Sequence, residues 1–387
     1  MRKILEKVSI LGLSFMLISS FSISSILPKM KEFYSSYPVD QVELLVSIPS
    51  FFVVATLLLN RFLSRWLTEH QTIILGLLTM TVAGLFPLFN QTYLLVLVTR
   101  MAFGVGTGLI NATAISIISE RYKGREKTQM LGYRGSAEVV GSACLTFVVG
   151  LLVPHNWTWS FGIYGVSLLI LLAYLFFVPR ESSEKKTSKK EKSARLSSRE
   201  RLLSMGLALV AGWVICINSS ISLRTADLVL SAGFGSEQEA SFILSLQQLV
   251  GILAGLSFAG LLRHFQKNLL VLAHLGLALG LLGIGFSPTI WVLGLSEVIA
   301  GFFYSIILTC IFSQLSERIS LQLLNGATSI VLVGCNFGSA LTPIVLKILA
   351  SFGWTGFTSF LFFAASLLLG SAFLAFLFRR SGKSSAS

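Results

Sequence analysis

Twelve apolar runs follow one another along the chain with short polar breaks between them, and they leave few folds open. Their approximate limits are 8–27, 42–63, 71–89, 92–118, 129–153, 159–178, 202–230, 238–262, 269–286, 290–312, 323–349 and 355–378. A helix needs about 20 apolar residues to cross a bilayer. In lipid, every backbone polar group must be paired within the protein, so only helices and closed barrels can span. Barrel strands alternate apolar and polar residues over about 10 positions, whereas these runs are continuous. The chain is 54% hydrophobic and only 12% charged, about half the charge of a soluble domain. It is expected to be an all-α polytopic membrane protein with twelve transmembrane helices. The N-terminal MRKILEK and the run after it imitate a secretory signal. No small-residue cleavage site precedes Pro28, so an uncleaved first span is expected.

The formal net charge of +13 would point to nucleic acid in a soluble chain. Here topology accounts for it, and no nucleic-acid partner is expected. With the N-terminus inside, most of the 30 Lys and Arg fall in cytoplasmic segments, as the positive-inside bias requires. Both termini are then cytoplasmic and the chain sits in the plasma membrane. The longest polar stretch, residues 179–201, is rich in Lys, Arg and Ser. It separates an N-terminal six-helix bundle (1–178) from a C-terminal six-helix bundle with a short cytoplasmic tail (202–387). One reading makes it a solvated tether; the other lets its basic cluster rest on anionic lipid.

An internal repeat supports the division. Arg100, Gly104 and Ser119-Glu120-Arg121 align without a gap with Glu297, Gly301 and Ser316-Glu317-Arg318, 197 positions later. The second half is a diverged copy of the first. Two parallel, pseudo-symmetric six-span halves related by an axis along the membrane normal form a transporter architecture.

These features resemble the major facilitator superfamily. Its fourth-span pattern, an arginine followed by spaced glycines, matches Arg100, Gly104, Gly106 and Gly108. The family's loop after the second span, Gly-x-x-x-Asp-Arg-x-Gly-Arg, survives here only in Arg65, with Ser64 in place of the acid. The second-half counterpart keeps Gly260 and loses the carboxylate. Of the fifth-span antiporter pattern, Gly132 and Gly141 remain and the glycine–proline dipeptide is absent. The resemblance implies the major facilitator fold, alternating access, a small-molecule substrate, no cofactor and a monomer. It also implies that spans 4 and 7, carrying Asn111 and Asn218, line the central cavity.

Ionisable side chains within spans are costly, about 2.5–3.5 kcal/mol on insertion scales, and so mark cavities or partners. Glu138, Asp227 and Glu297 are the proton-coupling candidates. Arg100, Asn111, Asn218, Gln247 and Asn336 are the cavity and substrate candidates. Arg65, Gly104, Gly108, Gly132 and Gly141 are the gate and motif candidates. Arg134 with Glu138 and Arg224 with Asp227 are spaced to pair along one helix face. Arg100 has two expected partners: Glu138 as a static brace, or Glu297, at equal depth in the other half. Pro49 and Pro343 are expected to bend their helices and free a carbonyl. Glycines four apart, such as Gly104/Gly108 and Gly334/Gly338, leave smooth stripes for close helix packing.

No HExxH, GxSxG or GxxxxGK[ST] motif occurs, so metalloprotease, hydrolase and nucleotide-driven chemistries lack their machinery. The four cysteines lie inside apolar runs, and neither a metal site nor an enzyme is expected. The expected function is secondary active transport, proton-coupled efflux of a small apolar or amphipathic compound. The alternatives are uptake or exchange of a polar solute (a sugar or an organic anion), or a non-transporting receptor or scaffold.

Overall fold

The computed structural model describes residues 2–63, 65–179 and 196–384, and all regular structure among them is helical. The helices are α1 (Arg2–Phe15), α2 (Leu27–Phe33), α3 (Val39–Leu63), α4 (Glu69–Leu85), α5 (Tyr93–Arg121), α6 (Gly124–Leu152), α7 (Val166–Phe177), α8 (Ser198–Ser231), α9 (Glu237–Phe265), α10 (Leu269–Gly285), α11 (Ile290–Arg318), α12 (Leu321–Ser351) and α13 (Phe357–Ser384). Nine helical segments among the described residues are long and apolar enough to cross a membrane, one of them Trp157–Phe177, a 3₁₀ stretch running into α7. The bent pair of α1 and α2 is a tenth. Two shorter apolar helices, Leu269–Gly285 and Phe357–Ala372, bring the apolar helical segments among the described residues to twelve.

The chain divides into two compact units, Met1–Ala194 and Arg195–Ser387, with six of these segments in each. Most of the expected linker 179–201 falls in residues 180–195, outside the described residues. Its end is ordered by a capping box. Ser197 Oγ accepts from Glu200 N at 3.3 Å, and Glu200 Oε2 accepts from Ser197 N at 2.9 Å. Two of the orphan donors at the start of α8 are thereby satisfied.

The repeat spacing of the sequence is also the spacing of the structure. α5 and α11 begin 197 residues apart and end 197 residues apart, and α6 and α12 begin with the same offset. The packing repeats as well. A side chain at Gly141 of α6 would strike the Phe15 carbonyl, and one at Gly338 of α12 would strike the Gly212 carbonyl. Both the glycines and the carbonyls they face are 197 apart. In unit 1, α5 packs on α3 and α4, and α1 on α6 and α7; in unit 2, α11 packs on α9 and α10, and α8 on α12. Large side chains such as Leu58, Leu94, Leu209, Leu256 and Leu279 remain exposed, as a lipid-facing surface requires.

One span departs from expectation. The first was expected to run unbroken through 8–27. Instead α1 stops at Phe15, the chain makes 3₁₀ turns at Ser19–Phe21 and Ser24–Ile26 that lead into α2, and the segment Ser19–Phe33 lies at 55° to Ile4–Phe15. The break is lined by the buried serines Ser14, Ser19, Ser20, Ser22, Ser24 and Ser25, and a serine hydroxyl can offer a nearby carbonyl an alternative to the helix ladder, as Ser19 does. Ser19 Oγ donates three residues back to Met16 O at 2.7 Å. In unit 2, Ser220 Oγ donates four residues back to Cys216 O at 2.8 Å. That bond fits an α-helix, and α8 runs through unbroken.

Candidate functional site

Arg100 is fully buried in unit 1, and its acceptors come from backbone that helices have given up. Nε donates to Leu45 O at 2.9 Å. Leu45 lies four residues before Pro49, and a proline has no N–H to offer the carbonyl four back. Nη2 donates to Ser20 O at 3.1 Å, in the break of the first span. The guanidinium also sits 4.9 Å from the Phe103 ring centroid and 5.3 Å from that of Tyr164, whose faces attract a cation. Tyr164 Oη donates to Ser19 O at 3.2 Å, beside the Arg100 contact. The expected brace between Arg100 and Glu138 does not form, because the Leu45 and Ser20 carbonyls supply the acceptors instead.

Gly104 brings α5 into contact with α3 at Pro49, since a side chain there would meet the Pro49 carbonyl. One turn on, a side chain at Gly108 would lie 2.6 Å from Thr56 Cβ. Gly141 packs on Phe15 as described, whereas Gly132 faces open space, so only one of the two fifth-span glycines is a packing residue. Arg65 is exposed and makes no ion pair among the described residues.

Glu138 pairs with Arg134, one turn away on α6, at 2.7 Å through Nη2. The same nitrogen donates to Asn111 Oδ1 on α5 at 3.3 Å. The expected pair of Arg134 and Glu138 thus forms and is joined by Asn111 in one cluster, in which Arg134 and Glu138 are 16% and 19% exposed.

Glu297, the repeat equivalent of Arg100, is fully buried in unit 2. Its Oε1 lies 2.7 Å from Thr225 Oγ1, which also reaches Ile221 O at 2.8 Å. Its Oε2 has no hydrogen-bond partner. Gln247 Nε2 donates to Asn218 Oδ1 at 3.1 Å, which joins two cavity candidates across α8 and α9. Asn336 Nδ2 donates to Leu332 O of its own helix at 3.0 Å. Asp227 meets Arg224 at 3.4 Å. Among the described residues, no group of three or more His, Cys, Asp or Glu is placed to hold a metal.

The structure also brings in residues that sequence reasoning passed over. Tyr164 and the Ser19 and Ser20 carbonyls complete the surroundings of Arg100, and Thr225 is the contact of Glu297. Glu43, only 1% exposed, pairs with Lys31 at 2.9 Å. Pro49 was the one signal available, because it marks Leu45 O as an acceptor in need of a donor.

Two six-segment helical units that repeat in register, each burying a charged side chain at the same position, define a membrane transporter built from two copies of one bundle. The profile of the Major Facilitator Superfamily matches residues 9–226 and again 208–387, and this chain belongs to that family. Its members are transporters and not enzymes. Among curated relatives, the cyanate transport protein CynX of Escherichia coli (strain K12) is 24% identical over 275 residues, 70% of this chain and 68% of that protein. The multidrug resistance protein MdtL of Shewanella oneidensis is 24% identical over 266 residues, 65% of this chain and 66% of that protein. Among solved structures, a peptide transporter POT superposes with a TM-score of 0.76 at 14% identity, covering 97% of this chain and 95% of that one. The inward-open xylose transporter XylE from E. coli superposes at 0.72 with 13% identity, covering 97% and 95%. At such identities the solved structures establish the fold alone.

Proposed function

We propose that this chain is a proton-coupled exporter of a small apolar or amphipathic compound, working by alternating access as a monomer in the plasma membrane, with Glu297 as the proton carrier. Proton counting at Thr225 carries this reading. The threonine hydroxyl has one proton and two oxygens within reach, Ile221 O at 2.8 Å and Glu297 Oε1 at 2.7 Å. Both contacts are hydrogen bonds at once only when Glu297 is itself protonated and donates to Thr225 Oγ1. A buried carboxylate with one oxygen unpartnered and no cation beside it would be costly, whereas a neutral acid fits. Glu138 and Asp227 are already paired with arginines, which makes them weaker candidates. Export is supported by the multidrug relative and by the apolar make-up of the spans. The cytoplasmic placement of both termini and of the 179–201 tether belongs to the same proposal.

The test is reconstitution in liposomes under an imposed pH gradient, with a trapped pH dye and a panel of small amphipathic compounds. The expected result is compound-dependent proton movement that Glu297→Gln abolishes while binding of the compound remains. Undiminished proton-driven transport in that variant would remove Glu297 from the mechanism.

A second reading, transport of an organic anion, is favoured by one observation, the partly exposed Arg134 cluster, and by the printed cargo of the cyanate relative.

A further inference from the structure

The internal repeat provides a control for the Arg134 cluster. Adding 197 to Asn111, Arg134 and Glu138 gives Leu308, Val331 and Cys335. Val331 is fully buried and Cys335 is 6% exposed. The equivalent helix pair in unit 2 therefore folds with apolar side chains at all three positions, and the architecture does not need charge there. An ion pair replacing apolar packing is commonly neutral or worse for stability, so stability does not explain this one.

The geometry of the guanidinium indicates a role. Arginine presents five donors in a planar fork suited to carboxylates. Arg134 binds both Glu138 and Asn111 through Nη2, and its Nε is buried without a partner. The other arginine within a span of unit 1, Arg100, has turned its fork onto backbone carbonyls. Both arginines keep one nitrogen without a partner, Nη1 of Arg100 and Nε of Arg134, but Arg100 is fully buried whereas Arg134 is 16% exposed and is the one a ligand can reach.

We propose that Arg134 binds an anionic head group on the transported compound, a carboxylate or similar small monoanion, and that Glu138 fills this position when cargo is absent. The inference rests on the export reading and adds the charge of the cargo. Asn111 Oδ1 holds Nη2, which keeps the fork in place while one carboxylate replaces another. Two anions cannot share the fork at full strength, so Glu138 is a competitor that sets how tightly cargo is held.

The experiment uses the full chain in lipid nanodiscs, with ligand binding read by the shift in thermal unfolding. The probes are sodium acetate and sodium benzoate, with benzyl alcohol and benzylamine as shape-matched neutral and cationic controls and sodium chloride as the salt control. Benzoate should stabilise the protein where the controls do not. Arg134→Gln should weaken benzoate at least about tenfold, the scale of a lost charge-assisted pair. Glu138→Gln should tighten it severalfold by removing the competitor. Because single changes orphan a charge, the double variant Arg134→Val with Glu138→Cys is the folding control. It installs the side chains unit 2 already carries at these positions, and should insert normally yet give no response to benzoate. The proposal is overturned if neither anion stabilises the wild type, if Arg134→Gln leaves benzoate binding unchanged, or if Glu138→Gln weakens it. Proton-driven transport of benzyl alcohol but not benzoate would overturn it and leave the export reading standing. Anion binding at Arg134 together with full proton coupling in Glu297→Gln would do the reverse.

Discussion

Arg100 and Glu297 occupy one position in two copies of a bundle, and each copy is built around what its side chain can exchange. Arginine only donates, so unit 1 must supply acceptors, and it does so with two carbonyls that its helices leave unused. Pro49 frees Leu45 O, and the serine-rich break of the first span exposes Ser20 O. A carboxyl group needs a donor or must carry its own proton. Unit 2 keeps α8 continuous, and among the described residues Thr225 is the hydrogen-bond contact of Glu297. Arg100 is therefore a fixed part of its unit, whereas a proton gained or lost at Glu297 changes only what the Thr225 hydroxyl donates to.

The widest separation between the two positions should appear in stability. Each buried acceptor left without a donor costs about 1–3 kcal/mol, and Arg100→Met orphans two. Glu297→Gln should change stability by less than about 1 kcal/mol, because the amide can donate to Thr225 Oγ1 as the protonated acid does. Equilibrium unfolding in mixed micelles measures both. Equal losses would break the comparison and make Glu297 structural.

A smaller effect tests whether the copies are equivalent where they should be. Gly141 and Gly338 face the Phe15 and Gly212 carbonyls. Alanine at either should cost about 1–3 kcal/mol, as overpacking does. Gly132→Ala, facing open space, should be neutral. A clear difference between Gly141→Ala and Gly338→Ala would mean that the break at Phe15 lets unit 1 relax where continuous α8 cannot.

The parts of this arrangement that could be read in advance are those with a side-chain signature. Apolar runs gave the spans, the offset of 197 aligned Arg100 with Glu297, and helical spacing paired Arg134 with Glu138. The break of the first span stayed hidden, because hydropathy scores serine as mildly polar whether its hydroxyl bonds three residues back or four. Arg100 was assigned to a carboxylate because sequences advertise carboxylates and do not advertise unpaired carbonyls. Asn111 was placed in a cavity, yet its contact with Arg134 crosses between helices and depends on a packing angle that no local pattern encodes.

The finest test concerns the bond between Arg100 and the Pro49 bend. Pro49→Ala restores an N–H opposite Leu45 O. The carbonyl has two lone pairs, so it can accept from the helix and from Arg100 together. Two effects then oppose each other. Alanine is the better helix residue, but a straighter α3 turns Leu45 O toward its own axis and away from Nε. The single variant should therefore shift stability by no more than about 1 kcal/mol in either direction. The informative quantity is the coupling. In Arg100→Met alone, Leu45 O and Ser20 O both lose their donor. With Pro49→Ala added, only Ser20 O does, because α3 now satisfies Leu45 O itself. The double variant should be more stable than the sum of the single effects predicts, by about 1 kcal/mol, within the usual range for residues sharing a partner. Strict additivity would mean that the proline and the arginine act independently, and that the acceptor stabilising Arg100 lies in the first-span break alone.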